Sequence, residues 1–396
     1  MSSPAQPVEV RAPPKRIIKF NNDASLEEGG LLAHEKFWRD HQQWLLNQGY
    51  ALRPRYWTDW IPSWRGTKRD PDECEDGLRW MRRQIMDAQR TSDGTIVILK
   101  LIEKSLHPYE IDIAQMFSAE PLASDPRNHC IPIYDLLQSP TNNNVAFMVM
   151  LYLRQYNDPR FATVGEAIEC VSQLLECVQF LHEQRVAHRD IMFLNFMMDP
   201  APIVSEPCHP HISRRSYDTR RKVKFSTRTR HPVRYYLIDF GISRKYPADC
   251  VSPREDPIWG GIKTVPEFHK SNEPCDPFPT DIYYIGFLLR QDFIEKSVDF
   301  EFLTPLVKDM MQENPEKRPT IDEVLHRFDT LCNSLTTRTL RSRVVHKKDF
   351  VVAGFFRALR HIFHTANYIL TRKSAIPTPS RRPTTSNHCP PGAVLS

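Results

Sequence analysis

Four short runs of this 396-residue chain carry side chains that can move a proton or hold a charged oxygen. His188-Arg189-Asp190 is followed, five positions beyond the aspartate, by Asn195. A carboxylate can accept a hydroxyl proton, and carboxylate and amide oxygens together suit a hard cation. Asp239-Phe240-Gly241 follows the apolar run YYLI, which sets a second carboxylate at a strand end. Val97-Ile98-Leu99-Lys100 is a strand pattern ending in an ammonium. Ten residues later Glu110 opens the helical pattern EIDIAQMF.

Taken in chain order, these runs resemble the motifs of protein kinases: H-R-D-x-x-x-x-N, D-F-G and the V-A-I-K strand with its helix glutamate. Val265-Pro266-Glu267 resembles A-P-E. Asp281 and Gly286 in DIYYIG match the D-x-W-x-x-G helix start, and Arg318 in NPEKRPT matches the arginine that pairs with the A-P-E glutamate. Small-molecule kinases of the aminoglycoside type share the Asp and Asn but lack these last three. The resemblance is therefore to protein kinases, over about residues 78–335. More narrowly, EKFWRDHQQWL, GYALRPRYWTDWIPSW, MDAQRTSDG, SDPRNHCIPIYDLL, GGIKTVPEF and the tail resemble a kinase-like family abundant in fungi.

The resemblance implies an α+β, two-lobed protein kinase fold with a small strand-rich N-lobe and a larger helical C-lobe. It implies ATP and Mg²⁺ as cofactors and transfer of the γ-phosphate to a protein hydroxyl, with the serine/threonine type favoured. Asp190 is then the base, Asn195 and Asp239 the metal ligands, Lys100 the phosphate anchor and Glu110 its orienter. Ile85, Ile98, Met150, Leu151, Leu153 and Met197 would line the nucleotide. His188, Arg189, Phe240, Gly241, Glu267, Asp281 and Arg318 would be structural or regulatory, with Arg189 binding a phosphate or acid in the activation segment. The resemblance names no protein substrate.

Several positions depart from the pattern. The three glycine positions of a phosphate-cradling loop fall near Leu78, Trp80 and Arg83, where Gly77 alone cannot replace them. Met192 stands where serine/threonine kinases carry a catalytic-loop Lys, and Leu194 where tyrosine kinases carry an Arg. Ile98 replaces a small residue over the adenine. Glu110 lies close to Lys100 in sequence, with Glu120 as the other candidate. One lost charge donor at a phosphoryl transition state costs about 3 kcal/mol, roughly two decades of rate. The expected enzyme is slow; the alternative is a pseudokinase that binds nucleotide or partners as a scaffold.

These residues must be positioned by the elements around them. Residues 1–77 form an N-terminal extension: a loose Pro-rich start to about residue 30, a helix over about 33–48 with Phe37, Trp38, His41, Trp44 and Leu45 on one face, and an aromatic segment expected to pack on the next domain through Trp57, Trp60 and Trp64. Ser92-Asp93-Gly94 between two alternating apolar runs predicts a hairpin. Ile168, Val171, Leu174, Leu175, Val178 and Leu181 make one face of a helix. Asn195 and Asp239 are 44 positions apart, which leaves a basic insertion at about 200–230. It is read as a solvated loop, as the source of an Arg replacing the missing cation, or as a nucleic-acid contact. No sequence-specific nucleic acid is expected.

Residues 336–373 are read as a basic amphipathic helical tail, and 374–396 as disordered. Phe355, Phe356, Leu359, Ile362, Phe363, Ala366, Ile369 and Leu370 form its apolar stripe. Residues 338–396 hold eleven Lys and Arg against one acid, Asp349, in a chain whose net charge is +5. The stripe is expected to dock on the kinase domain, with an anionic membrane surface or a partner protein as alternatives. The nine cysteines form no C-x-x-C pair and read as free thiols. Cys208, His209 and His211 lack a second ligand pair for zinc. With no signal-peptide core and no membrane span, the expected location is intracellular, cytoplasmic or nuclear.

Overall fold

In a computed structural model, which describes residues 30–79 and 82–380, the chain is a mixed α+β protein. Five antiparallel strands form a sheet: β1 (Tyr50–Ala51), β2 (Ile85–Arg90), β3 (Ile96–Glu103), β4 (Ile133–Gln138) and β5 (Val145–Leu151), in the order β1-β2-β3-β5-β4. The expected β2–β3 hairpin forms. Gly94 has φ +73°, which suits glycine, and the Asp93 carboxylate takes both the Arg90 guanidinium and the Thr95 N–H.

Register gives this sheet two distinct faces, because side chains alternate along each strand. Met86 pairs with Leu99 and Ala88 with Val97, so these four share one face. Helix α1 (Ala33–Asn47) covers it: Trp38 and Leu45 are fully buried there, and Trp38 meets Phe147 edge-on at 5.5 Å. Asp87 pairs with Ile98 and Ile85 with Lys100, which puts these four on the opposite, inner face. The residues that anchor the aromatic segment are Tyr56, Arg53 and Arg55, all buried, with Arg55 forked onto Glu35 at 2.7 and 3.1 Å. Trp57 is exposed, and Trp60 and Trp64 are half-buried against each other.

Eight further α-helices stand among the described residues. They are α2 (Glu110–Ser118), α3 (Val164–Glu183), α4 (Pro266–Lys270), α5 (Pro277–Leu289), α6 (Thr304–Met310), α7 (Ile321–Asn333), α8 (Thr337–Arg341) and α9 (Val351–Leu370). Helix α3 is the centre of the larger core, and Thr163 caps it by accepting the Glu166 N–H. Short strands pin the loops beside it: β6 (Arg154–Gln155), β8 (Phe196–Met198) and β9 (Tyr235–Leu237) make one small sheet, and β7 (Val186–Ala187) pairs with β10 (Arg244–Lys245).

Three expectations are corrected. The 200–230 insertion is a solvated loop only in part: Arg214, Arg220 and Arg221 are mostly exposed, but Ile203, Cys208, His209, Val223 and Arg228 are buried, because the segment folds back over the β6-β8 region. Residues 374–380 are not loose. Arg341 donates to the Lys373 carbonyl, the Ala375 carbonyl lies where a Cβ on Gly165 would stand, and Thr378 donates to Glu169 at 2.9 Å. Helix α9 forms, but its apolar stripe is not docked. Phe356 is 64% exposed, Leu359 45% and Phe363 69%. The helix sits on the protein by the other side, through Tyr368, which is buried and bonded to Thr227 at 2.6 Å, and His361, 3.0 Å from the Arg341 carbonyl. The loose start to residue 29 and residues 381–396 lie outside the described residues.

Candidate active site

Strand β3 carries Lys100 on the inner face of the sheet, and Glu110 is the first residue of α2. Their side chains touch directly, and Lys100 Nζ also donates to Asp239 Oδ1 at 2.8 Å. The link between them is short, as the sequence requires. A turn through His107 closes it, and the His107 ring lies 2.9 Å from the Gly241 carbonyl, tying the link to Asp239-Phe240-Gly241. His107 carries no sequence signal for this role, because its partner is 134 positions away. Glu120 is exposed and takes no part. Burial, the largest influence on Lys100, pulls its pKa down, but Glu110 and Asp239 outweigh it and hold the ammonium above the ordinary lysine value. Burial likewise works against the Asp239 carboxylate, and Lys100 overrides it to keep Asp239 below the usual aspartate range.

The loop from His188 is held from beneath. Asp281, fully buried one turn into α5, accepts the His188 N–H at 2.8 Å and the Arg189 N–H at 2.7 Å. Arg189 and Asp239 both have positive φ, +71° and +69°, an uncommon conformation for non-glycine residues that the surrounding bonds over-determine. Phe240 is buried between Phe117 and His188. Arg189 reaches Glu255 at 3.3 Å, so the acid it meets in the segment after Gly241 is a carboxylate of the chain itself. Farther down, Arg318 forks onto Glu267 at 2.8 and 2.6 Å, and this with Thr280 overcomes burial to hold Glu267 below the usual glutamate range.

Asp190 and Asn195 meet: the Asn195 side-chain N–H donates to Asp190 Oδ2 at 2.9 Å. That bond orients the Asn195 amide, leaving its oxygen as a hard donor, while Asp239 is half exposed with one oxygen turned to Lys100. Two oxygen donors of this kind fit a magnesium ion that keeps its own waters. The other Asp190 oxygen accepts the Gly261 N–H at 2.7 Å. Residues 260 and 261 are glycines for a steric reason. A Cβ on Gly260 would lie 2.3 Å from Asp190 Oδ1, and one on Gly261 2.0 Å from Met192 Sδ. Met192 therefore fills the space beside Asp190 against backbone.

The inner face beyond Lys100 is covered by the chain itself. Ile98 is half-buried, and its cross-strand partner Asp87 is completely buried. Tyr217, from the insertion, donates to Asp87 Oδ2 at 2.7 Å, and Arg53 Nε lies 3.2 Å from the same oxygen. Arg53 also pairs with Glu75 at 3.2 Å, and His209 lies 3.6 Å from Glu75. Burial first and Asp87 second push the Tyr217 hydroxyl far above its ordinary pKa, so it stays a donor. Burial and then Arg53 hold His211 at about 4, hence neutral. Of the residues expected to line a nucleotide, Met150 and Leu153 are buried, whereas Ile85, Ile98, Leu151 and Met197 are half-buried. Along a strand, residues two apart are about 6.6 Å apart, so the Tyr217 contact lies one side-chain step from Lys100. Sequence reasoning missed Asp87, Arg53 and Tyr217. Their only local signal is a charged residue, Asp87, within an apolar strand.

The insertion's six arginines are engaged elsewhere: Arg214 with Asp158, Arg215 with the Thr219 carbonyl, Arg220 with Asp218, Arg221 with Glu206, Arg228 with the Tyr156 carbonyl and Arg230 with Asn367. No protein-family model matches this chain, and no curated protein matches it in sequence.

Proposed function

We propose that this chain is a two-lobed protein kinase-like phosphotransferase that uses ATP and a protein hydroxyl. The observation that carries the reading is Lys100 held between Glu110 and Asp239, with the Asp190–Asn195 pair on the loop beside them. Lys100 supplies fixed positive charge for phosphate oxygens, and Glu110 keeps it aimed. Asn195 and Asp239 would hold magnesium, which when bound neutralises charge on the phosphates. The substrate hydroxyl oxygen attacks the γ-phosphorus, the bond from that phosphorus to the β-γ bridging oxygen breaks, and the hydroxyl proton passes to Asp190. Each Asp190 oxygen accepts one N–H, from Gly261 and from Asn195, and keeps a second lone pair for that proton.

A second reading has specific support. Tyr217 and Arg53 occupy the inner face next to Ile98, and Met192 stands beside Asp190 where a cation would meet the transferred γ-phosphate. A protein with this arrangement acts as a pseudokinase unless the insertion withdraws. The experiment is thermal stability of the full chain with ATP in magnesium and in excess chelator, together with phosphate transfer by wild type and Asp190→Asn. Magnesium-dependent stabilisation plus transfer abolished by Asp190→Asn supports the enzyme. Stabilisation without transfer supports the scaffold. No stabilisation under either condition sinks nucleotide binding altogether.

A further inference from the structure

Helix α9 is turned inside out relative to an ordinary surface helix, which buries its apolar stripe and shows water its polar one. Here Ala358, His361, Thr365 and Tyr368 recur at three- and four-residue spacing on the side against the protein, and each is buried or half-buried. Phe355, Phe356, Leu359, Ile362, Phe363 and Ile369 face outward, each 45% to 69% exposed. A contiguous apolar face of this size marks a binding surface. The side that docks is fixed by specific bonds, Tyr368 to Thr227 and His361 to the Arg341 carbonyl, so the stripe does not reach solvent by simple fraying.

Charge identifies the occupant. The one acid of residues 338–396, Asp349, is taken up by Arg357, Arg160 and Arg343 at 2.5, 2.9 and 3.5 Å, and Glu166, which acts on His361 and His364, is buried beneath the helix. Arg360 borders the stripe, beside Phe356 and Phe363. The cations Arg230 and Arg360, with His364 held below the ordinary histidine value by burial and then Arg360, rim a groove of about 490 Å³ whose apolar wall is Phe356, Leu359 and Phe363. A second copy of the chain would bring the same cations against these, and like charges oppose that pairing. A phospholipid surface offers the complementary pair: acyl chains for the phenylalanines and anionic headgroups for the arginines at their edge. No described helix is long and apolar enough to cross a membrane, so α9 would lie in the surface plane.

We infer that α9 is an in-plane anchor that binds the full chain to anionic lipid bilayers by its outward phenylalanine stripe. The test is co-sedimentation of the full-length protein with vesicles of phosphatidylcholine, alone or with roughly one part in three phosphatidylserine. A variant carrying Phe356→Ser and Phe363→Ser is run beside it. Both side chains are mostly exposed, so the variant keeps the fold and its melting temperature. Wild type is expected to partition to the phosphatidylserine vesicles at least about tenfold more than to neutral ones, and to be released by raising salt from about 0.1 to 0.5 M. The double variant is expected to lose at least about tenfold of that binding. Two results overturn the inference: equal binding by the variant, or no binding by wild type. Phenylalanine-dependent self-association in solution would instead assign the stripe to a second copy, and capture of a defined acidic protein without lipid binding would assign it to a protein partner; either replaces the bilayer.

Discussion

Replacing Tyr217 with Phe tests whether the insertion and a nucleotide compete for the inner face of the sheet. The substitution removes one hydroxyl, the donor to Asp87 Oδ2 at 2.7 Å, and leaves the ring. A hydrogen bond to a charged group contributes about 1.5–3 kcal/mol. Asp87 keeps Arg53 at 3.2 Å, so the lower part of that range, about 1.5–2 kcal/mol, is the fitting figure. If the covered form dominates and excludes nucleotide, the apparent Kd equals the intrinsic value divided by the uncovered fraction. Weakening the cover by about 1.5–2 kcal/mol then lowers the Kd for magnesium-ATP roughly ten- to thirtyfold. The same loss lowers the melting temperature without nucleotide by about 3–4 °C, at ~2 °C per kcal/mol for a chain of this size. Titration calorimetry gives the first quantity and thermal unfolding the second. The two must move in opposite senses, with a less stable free protein and tighter nucleotide. A Kd unchanged within about twofold, beside the expected fall in melting temperature, would refute the competition and leave Tyr217 a purely structural contact.

Arg318→Met leaves the Glu267 carboxylate, only 9% exposed, with Thr280 as its remaining side-chain donor. Breaking such a buried pair costs about 3–5 kcal/mol, so the melting temperature should fall by about 6–10 °C; a shift below about 1 °C would remove the pair from the list of structural determinants. Met192→Lys supplies a cation beside Asp190 and is expected to raise transfer by up to roughly two decades in single-turnover kinetics, and a lower rate with unchanged ATP affinity would count against a missing charge as the defect. His211 is neutral in the folded protein to about pH 4 but titrates near 6.5 once unfolded. Unfolded chain therefore binds the extra proton between those values, and stability should fall as pH drops from about 6.5 to 4, by at most about 3.4 kcal/mol and, because His211 is only half-buried and partly screened by solvent, by roughly 2–3 kcal/mol, then flatten. Denaturant unfolding of wild type and His211→Phe across that range checks the sign, and equal slopes in both would show that His211 is not its source.

Much of the site was legible because its parts are local. Asp93-Gly94 dictates a tight turn whatever surrounds it, and the apolar alternation on either side sets which residues share a face with Lys100. Glu110 opens a helix close behind that strand, so the two ends meet once the His107 turn closes. Asp190 and Asn195 lie five apart in one loop, and their contact needs little more than that loop's shape. Periodicity likewise gave α3 its buried face and α9 its helical form.

What depended on the tertiary structure was the choice among partners far apart in the chain. Asp87 and Tyr217 are 130 positions apart, and neither strand pattern nor composition says that an insertion returns to that face. Nothing in the sequence gives the Gly260-Gly261 pair a local reason; only the crossing of its backbone over Asp190 and Met192 supplies a steric one. For α9 the sequence by itself determined a helix with one apolar side. It did not determine which side docks, because a hydrophobic stripe measures a tendency to leave water and not the identity of the surface that receives it. Tyr368 finds Thr227 and His361 finds the Arg341 carbonyl, and these directional bonds on the polar side leave the phenylalanines outside.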